Sequence, residues 1–246
     1  MKLADALEKL REKLRRYAEQ NNFTCDICGR EVFSNERICA RCMSGLPLHR
    51  GKICPVCGRS VAEEGICMEC RSRAPAADKL RSAMDHEGEG RKLIVRFKTG
   101  QKYLFRALSD LMTPIAQQDF SDCDAVAFIP MTDRARRKRG YNQSFLLAEE
   151  IARRMGKPLL SCLEKKRETA AQKTLGRAER EKNLKGCFSV TDKRAVKGKT
   201  ILVADDTMTT GSTADEIALI LRRAGAKKVY FLTATSVPAK NMRARV

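Results

Sequence analysis

The sequence predicts an α/β fold, a parallel sheet flanked by helices, preceded by a small cysteine-rich module and an N-terminal helix. Three observations predict it. Apolar β-type runs at "DAVAFIP" (124–130), "TILVA" (200–204) and "KKVYFLTAT" (227–235) are separated by helix-length segments; strands so separated form a parallel sheet covered on both faces. Eight of the 11 cysteines fall into four CxxC pairs between Cys25 and Cys70. At the front, Leu3, Leu7, Leu10, Leu14 and Tyr17 step by four and three onto one helical face.

Taken in order, residues 1–22 read as an amphipathic helix that packs on the body or on a second copy of itself. Residues 23–73 form the cysteine-rich segment. Residues 74–90 read as a linker, because "RAPAADKL" brings Pro75 and small residues. Residues 91–246 carry the α/β pattern. Within them "NQSFLLAEEIARRMG" (142–156) has helical spacing and a terminal glycine suited to a C-cap. "STADEIALILRRAG" (212–225) is a second helix of the same kind.

A chain of 246 residues can bury one sizeable core and still carry a smaller module. The 49 Lys and Arg against 30 Asp and Glu leave a net charge of +19. That excess favours polyanions: nucleic acid, phosphorylated metabolites or an acidic membrane surface. "MKLADALEKLREKLRR" interleaves charges with leucines, unlike a secretory signal. No apolar run approaches the ~20 residues that span a bilayer. The expectation is a soluble, cytoplasmic protein.

The cysteine segment is an internal repeat, "CDICGR" with "CARC" and then "CPVCGR" with "CMEC". Without an export signal, this spacing points to metal and away from cystine. Four thiolates in two knuckles suit tetrahedral zinc, which we favour over an iron–sulfur cluster. The duplication argues for one metal per repeat: Cys25, Cys28, Cys39 and Cys42, then Cys54, Cys57, Cys67 and Cys70. A cross-braced exchange of pairs fits the same spacing. All-cysteine ligation leaves no open position for water, so both zinc ions are expected to be structural. Cys123, Cys162 and Cys187 stand alone and read as small packing residues.

The stretch "ILVADDTMTTGSTADE" (201–216) runs from a strand into two carboxylates and a hydroxyl-rich turn before a helix. Ligands bind at the carboxyl edge of open α/β sheets. Asp205 and Asp206 are suited to accept hydrogen bonds from the vicinal hydroxyls of a ribose, and to attract Mg²⁺ carried by a pyrophosphate. Thr209, Thr210, Gly211, Ser212 and Thr213 offer hydroxyls and backbone N–H groups at a helix start, a cradle for phosphate. A plain Ser/Thr-capped turn is the competing explanation. Two acids beside so many hydroxyls favour a phosphorylated sugar.

"ILVADDTMTTGST" resembles the phosphoribosyl-pyrophosphate (PRPP) motif of type I phosphoribosyltransferases. "AFIPMTDRARRKRGYNQSFLLAEEIA", "KKRETAAQKTLGRAEREKNLKGCF", "RFKTG" (96–100) and the duplicated knuckles narrow the resemblance to the ComF (ComFC/GntX) competence family. It spans almost the whole chain after the first helix. The resemblance implies a type I phosphoribosyltransferase-like domain behind a double zinc ribbon, binding PRPP with Mg²⁺. It implies a PRPP site from Asp205, Asp206, Thr207, Met208 and Thr209 through Thr213. The "IPMTDR" turn, with Pro130, Met131 and Thr132, would be the pyrophosphate loop, although many relatives read P-V-P-L there. Arg167, Thr169 and Gln172 would belong to a loop over the substrate. A role in natural transformation is implied too, handling single-stranded DNA beside a helicase-like competence partner.

Displacing pyrophosphate from a ribosyl C1 needs charge stabilisation more than a strong base. The catalytic candidates are Asp205, Asp206, Arg134 and Arg167, with Arg136 and Arg139 as further cations. Purine-salvage members of the superfamily carry an acid where this chain has Thr209. Only His49 and His86 exist, both ahead of the catalytic-looking region, so no general base is assigned. "RARRKR" (134–139) places five positive charges in six residues just before Tyr141 and Phe145. Arg136, Arg137, Lys138, Arg139 and Tyr141 could track and stack single-stranded nucleic acid, and a basic loop serving pyrophosphate explains the same residues. Two other readings stay open: a non-catalytic PRPP-sensing or nucleic-acid-binding scaffold, and a metabolic phosphoribosyltransferase with an unidentified acceptor.

Overall fold

The computed structural model describes residues 24–32, 36–167 and 184–239. The helix expected over residues 1–22 lies outside them, as do Thr169 and Gln172. The chain divides into two compact units between Gly45 and Leu46, inside the stretch read from sequence as one cysteine-rich module. In the first unit the knuckle closes through Cys25 N donating to Arg30 O at 2.7 Å and Gly29 N to Cys25 O at 2.8 Å. Helix α1 (Ala40–Gly45) carries Cys42.

The second unit opens with the repeat of that turn. Cys54 N donates to Arg59 O at 2.8 Å and Gly58 N to Cys54 O at 2.9 Å, and α2 (Met68–Ser72) carries Cys70. There follow β1 (Lys79–Asp85), α3 (Gly88–Lys98), a single 3₁₀ turn (Lys102–Leu104), α4 (Phe105–Asp119) and β2 (Ala125–Phe128). Next come α5 (Asp133–Arg139), α6 (Gln143–Met155), β3 (Leu159–Leu160) and β4 (Leu163–Lys165). The chain ends its described part with β5 (Phe188–Val190), α7 (Lys193–Val196), β6 (Thr200–Met208), α8 (Ser212–Arg223) and β7 (Lys228–Ser236).

Five strands form one parallel sheet in the order β1-β7-β6-β2-β3. Alternation along β6 sorts the layers. Ile201 and Val203 join Ile217, Ala218 and Leu221 of α8 in one core, while α4 and α6 pack on each other and on the sheet. β4 and β5 form a separate antiparallel pair. Helix ends follow local chemistry. Asn142 caps α6 by accepting from Phe145 N at 3.3 Å, and its amide donates to Ile129 O at 3.0 Å, which ties the helix start to the end of β2. Gly156 ends α6 with φ +63°.

Two features differ from the sequence reading. Residues 79–85, inside the segment read as a linker, are an edge strand of the sheet. Lys79 and Arg81 give that strand a charged face, paired to the Asp119 carboxylate, while Leu80, Ser82 and Met84 are buried. β6 also continues past Ala204 to Met208, because Asp205, Thr207 and Met208 keep pairing with Thr233, Thr235 and Ser236 of β7. The two acids therefore sit in the strand itself.

The second knuckle is built onto β1. Leu80 N donates to Val56 O at 3.3 Å, an Arg81 nitrogen to Pro55 O at 3.0 Å, and Ser60 Oγ to Asp85 Oδ2 at 2.9 Å. His49 Nε2 lies 2.9 Å from the other Asp85 oxygen. Gly58, at φ +68°, fits because it has no side chain: a Cβ there would stand 2.6 Å from Leu80 O.

Candidate functional site

Strand order reverses between β2 and β6, and the carboxyl ends of those two strands open onto a cavity of about 480 Å³. That volume lies in the ordinary range for small-ligand sites. β2 delivers Ile129 to Thr132, and β6 delivers Asp205 to Met208 before the turn into α8. Among the residues expected to hold PRPP, Asp205, Asp206, Thr207, Met208, Thr209, Gly211, Ser212, Thr213, Pro130, Met131 and Thr132 line the cavity. Thr210 does not; its hydroxyl lies 2.8 Å from Ser212 Oγ, on the side of the loop facing away. Gly211 makes this reversal possible at φ +81°.

The carboxylates differ in environment. Asp206 pairs with Lys98 Nζ at 2.8 Å. Asp205 accepts from Ser144 Oγ at 2.5 Å and from Asp206 N at 2.8 Å. Burial, reinforced by the adjacent Asp206 charge, pushes the Asp205 carboxyl up to about 7. Two acids side by side thus divide into one ion-paired carboxylate and one that holds its proton more tightly.

Tertiary packing adds residues that the sequence reading did not place here. Lys98 ends α3 and reaches the site, its Nζ 3.4 Å from Thr207 Oγ1; the "RFKTG" segment was its only signal. Gln143, 1% exposed, lines the cavity. Its Oε1 accepts from Arg139 at 2.8 Å, and its buried Nε2 has no hydrogen-bond partner among the described residues. Below the acids, His86 Nδ1 lies 3.0 Å from Thr235 Oγ1, which in turn donates to the Asp206 carbonyl at 3.3 Å. Burial, then the nearby Lys98 charge, lowers the His86 pKa. Although His86 precedes the site by more than a hundred residues in sequence, β1 and β7 being neighbours brings it there.

Other expected residues lie elsewhere. Arg134 and Arg167 are exposed and are not among the cavity's lining residues; an Arg167 nitrogen donates to Lys185 O at 3.0 Å. Among the described residues the cations on the wall are Lys98, Arg139 and Lys165. The basic run 134–139 is not a loop but helix α5, capped by Thr132 and closed by Gly140 at φ +85°. Arg136, Arg137, Lys138 and Arg139 are all exposed on it. The aromatics beside it face inward: Tyr141 donates its hydroxyl to Phe97 O, and Phe145 meets Phe128 edge-on at 5.2 Å. Both residues are half-buried.

The cysteines gather within each repeat. Cys25, Cys28, Cys39 and Cys42 form one cluster and Cys54, Cys57, Cys67 and Cys70 the other, each with all sulfurs within 4.8 Å of one another. Cross-knuckle pairs Cys28–Cys39 and Cys57–Cys67 stand 3.8 Å apart. Tetrahedral zinc with Zn–S of about 2.3 Å requires about 3.8 Å between sulfurs, so the donor sets fit that ion. Cys39 N and Cys67 N donate to Cys25 Sγ and Cys54 Sγ at 3.3 and 3.4 Å, the support a thiolate ligand needs. Cys123, Cys162 and Cys187 are buried in the α/β core.

Comparison with known proteins agrees with both halves. A family described as "Phosphoribosyl transferase domain" matches residues 142–245, and "Double zinc ribbon domain" matches residues 22–71. Competence protein ComFC of Bacillus subtilis is 28% identical over 216 residues, covering 83% of this chain and 87% of its own. DNA utilization protein YhgH of Salmonella typhimurium is 29% identical, covering 83% of this chain and 93% of its own. Competence protein F of Haemophilus influenzae is 28% identical, covering 85% and 94%. With a phosphoribosyltransferase-like parallel sheet behind duplicated four-cysteine knuckles, the chain is similar over more than four fifths of its length to these ComF-type (ComFC/YhgH) proteins.

Proposed function

We propose that the protein binds PRPP with Mg²⁺ in the β2/β6 cavity and transfers its pentose, in the service of DNA uptake. The observation that carries this is the meeting of an acid pair, a hydroxyl-rich turn and a helix N-terminus in one cavity at the reversal of the sheet. Asp205 and Asp206 accept from the ribose hydroxyls, the N–H groups of residues 209–213 take the 5′-phosphate, and Pro130 to Thr132 face the pyrophosphate. Carboxylate oxygens suit Mg²⁺, which when bound neutralises charge on the departing pyrophosphate. Lys98 pairs with Asp206, and Arg139 and Lys165 add positive charge on the wall.

The relatives named for competence and DNA utilization support a role with DNA; in our reading that DNA is an incoming single strand, handled in the cytoplasm beside a helicase-like partner. The exposed cations of α5 are the surface offered to such a strand. No helix among the described residues is long and apolar enough to cross a membrane. Both knuckles would carry structural zinc.

Calorimetry on zinc-loaded protein tests the reading: heat with Mg·PRPP in the wild type, and none in Asp205→Ala/Asp206→Ala. A wild type that gives no heat refutes it. One observation favours the non-catalytic sensor reading, namely that Arg134 and Arg167 lie off the cavity wall. Pyrophosphate release with candidate acceptors separates the two.

A further inference from the structure

Arg59 belongs to the second knuckle, two residues after the metal-site Cys57, yet it reaches the anion loop. It is 6% exposed. One guanidinium nitrogen donates to Glu69 Oε2 at 2.8 Å, and the buried Nε has no hydrogen-bond partner among the described residues. The remaining nitrogen lies 3.9 Å from where a Cβ on Gly211 would stand. Between knuckle and loop is a cavity of about 20 Å³, walled by Cys57, Cys70 and Glu69 on one side and Met208, Thr210 and Gly211 on the other. It is large enough for about one water, a ready partner for a lone N–H. The chain leaving the knuckle is tied to the same helix turn, since Ala76 N donates to Asp215 Oδ1 at 2.8 Å and an Arg73 nitrogen lies 4.0 Å from Asp215 Oδ2.

Four thiolates on Zn²⁺ sum to a net charge of −2, which a buried guanidinium beside them offsets. The same guanidinium stands behind the turn that Thr210 and Gly211 form. We propose that Arg59 is a positioning residue of the anion loop: the loaded second knuckle pins its charge behind Gly211, so the loop's hold on a phosphate ester depends on that knuckle. The inference rests on residues 209–213 being the phosphate loop. It makes the second cysteine cluster part of the binding site, where four-cysteine sites are otherwise merely structural.

The test is calorimetric titration of Mg·PRPP into the full-length, zinc-loaded chain, with metal content measured on each sample. Arg59→Met is expected to keep two metals and to bind about tenfold more weakly, the scale of one unit charge acting across a loop at an effective dielectric of about 20. Arg59→Lys keeps the charge, but one nitrogen cannot both hold Glu69 and reach the loop. It should bind about threefold more weakly, so graded recovery separates positioning from mere folding. Wild-type affinity in Arg59→Met overturns the proposal. Should Arg59→Met lose metal or fail to fold, wild-type affinity in a two-metal Arg59→Lys overturns it just as well. A wild type silent toward Mg·PRPP is a different failure, that of the parent reading.

Discussion

Asp205→Asn isolates the cost of building the acid pair. The Asp205 carboxyl is pushed from 3.8 to about 7, by burial first and the Asp206 charge second. At about 1.4 kcal/mol per pKa unit, its ionisation in the folded, ligand-free state costs up to about 4 kcal/mol. The sign follows from proton linkage: the folded chain binds this proton more tightly than the unfolded chain. The cost is absent below the unfolded pKa, grows as pH rises toward about 7, and is complete above it. Asparagine keeps the shape and can still accept from Ser144 and Asp206 N, without the charge. Urea denaturation of both proteins at pH 5 and pH 8 measures the difference. The stability gained by Asp205→Asn should be larger at pH 8 by up to about 3 kcal/mol, with Tm moving by about 2–4 °C per kcal/mol. The same variant should lose Mg·PRPP binding. A gain that is flat or shrinks between pH 5 and pH 8 would refute the claim that the site stores an ionisation cost.

Four further outcomes follow from the same geometry. Lys98→Met removes the 2.8 Å partner of a mostly buried carboxylate; it should cost about 2–4 kcal/mol at pH 8 by denaturation and weaken Mg·PRPP in calorimetry. Gly58→Ala forces a Cβ to 2.6 Å from Leu80 O at a positive φ, so the second knuckle should lift from β1, at about 2–5 kcal/mol, together with loss of metal on elemental analysis. Arg137→Gln/Lys138→Gln on α5 should lower the salt dependence of oligonucleotide binding, measured by anisotropy, by about 1.4 in log–log slope. A strong chelator or mercurial should release two zinc ions per chain, followed spectrophotometrically, with a fall in Tm.

Local patterns were enough for much of this protein. The four CxxC pairs announce two tetrahedral donor sets by spacing, because ligands a few residues apart on a tight turn must share a metal. Residues 142–156 show their helix through periodicity and its terminal glycine. The acid pair and the hydroxyl-rich turn stand in one stretch of sequence, so their meeting in one cavity at the end of β6 needed only a strand followed by a turn. Reading failed where the pattern was mixed. Lys79 and Arg81 disguised β1 as part of a linker, since an edge strand is free to carry charges that a central strand cannot.

What the chain could state alone was which groups are present and which short-range structure each stretch adopts. Only tertiary packing decided that Lys98 and His86 converge on Asp206, that Thr210 turns away from the cavity, and that Arg59 of a metal knuckle stands behind Gly211. The division has a physical cause. Turns, caps and periodicity act over a few residues, whereas strand order and the seating of Gly58 on β1 join segments scores of residues apart. Those choices are made by burial and backbone pairing summed over the whole core, which no local window contains.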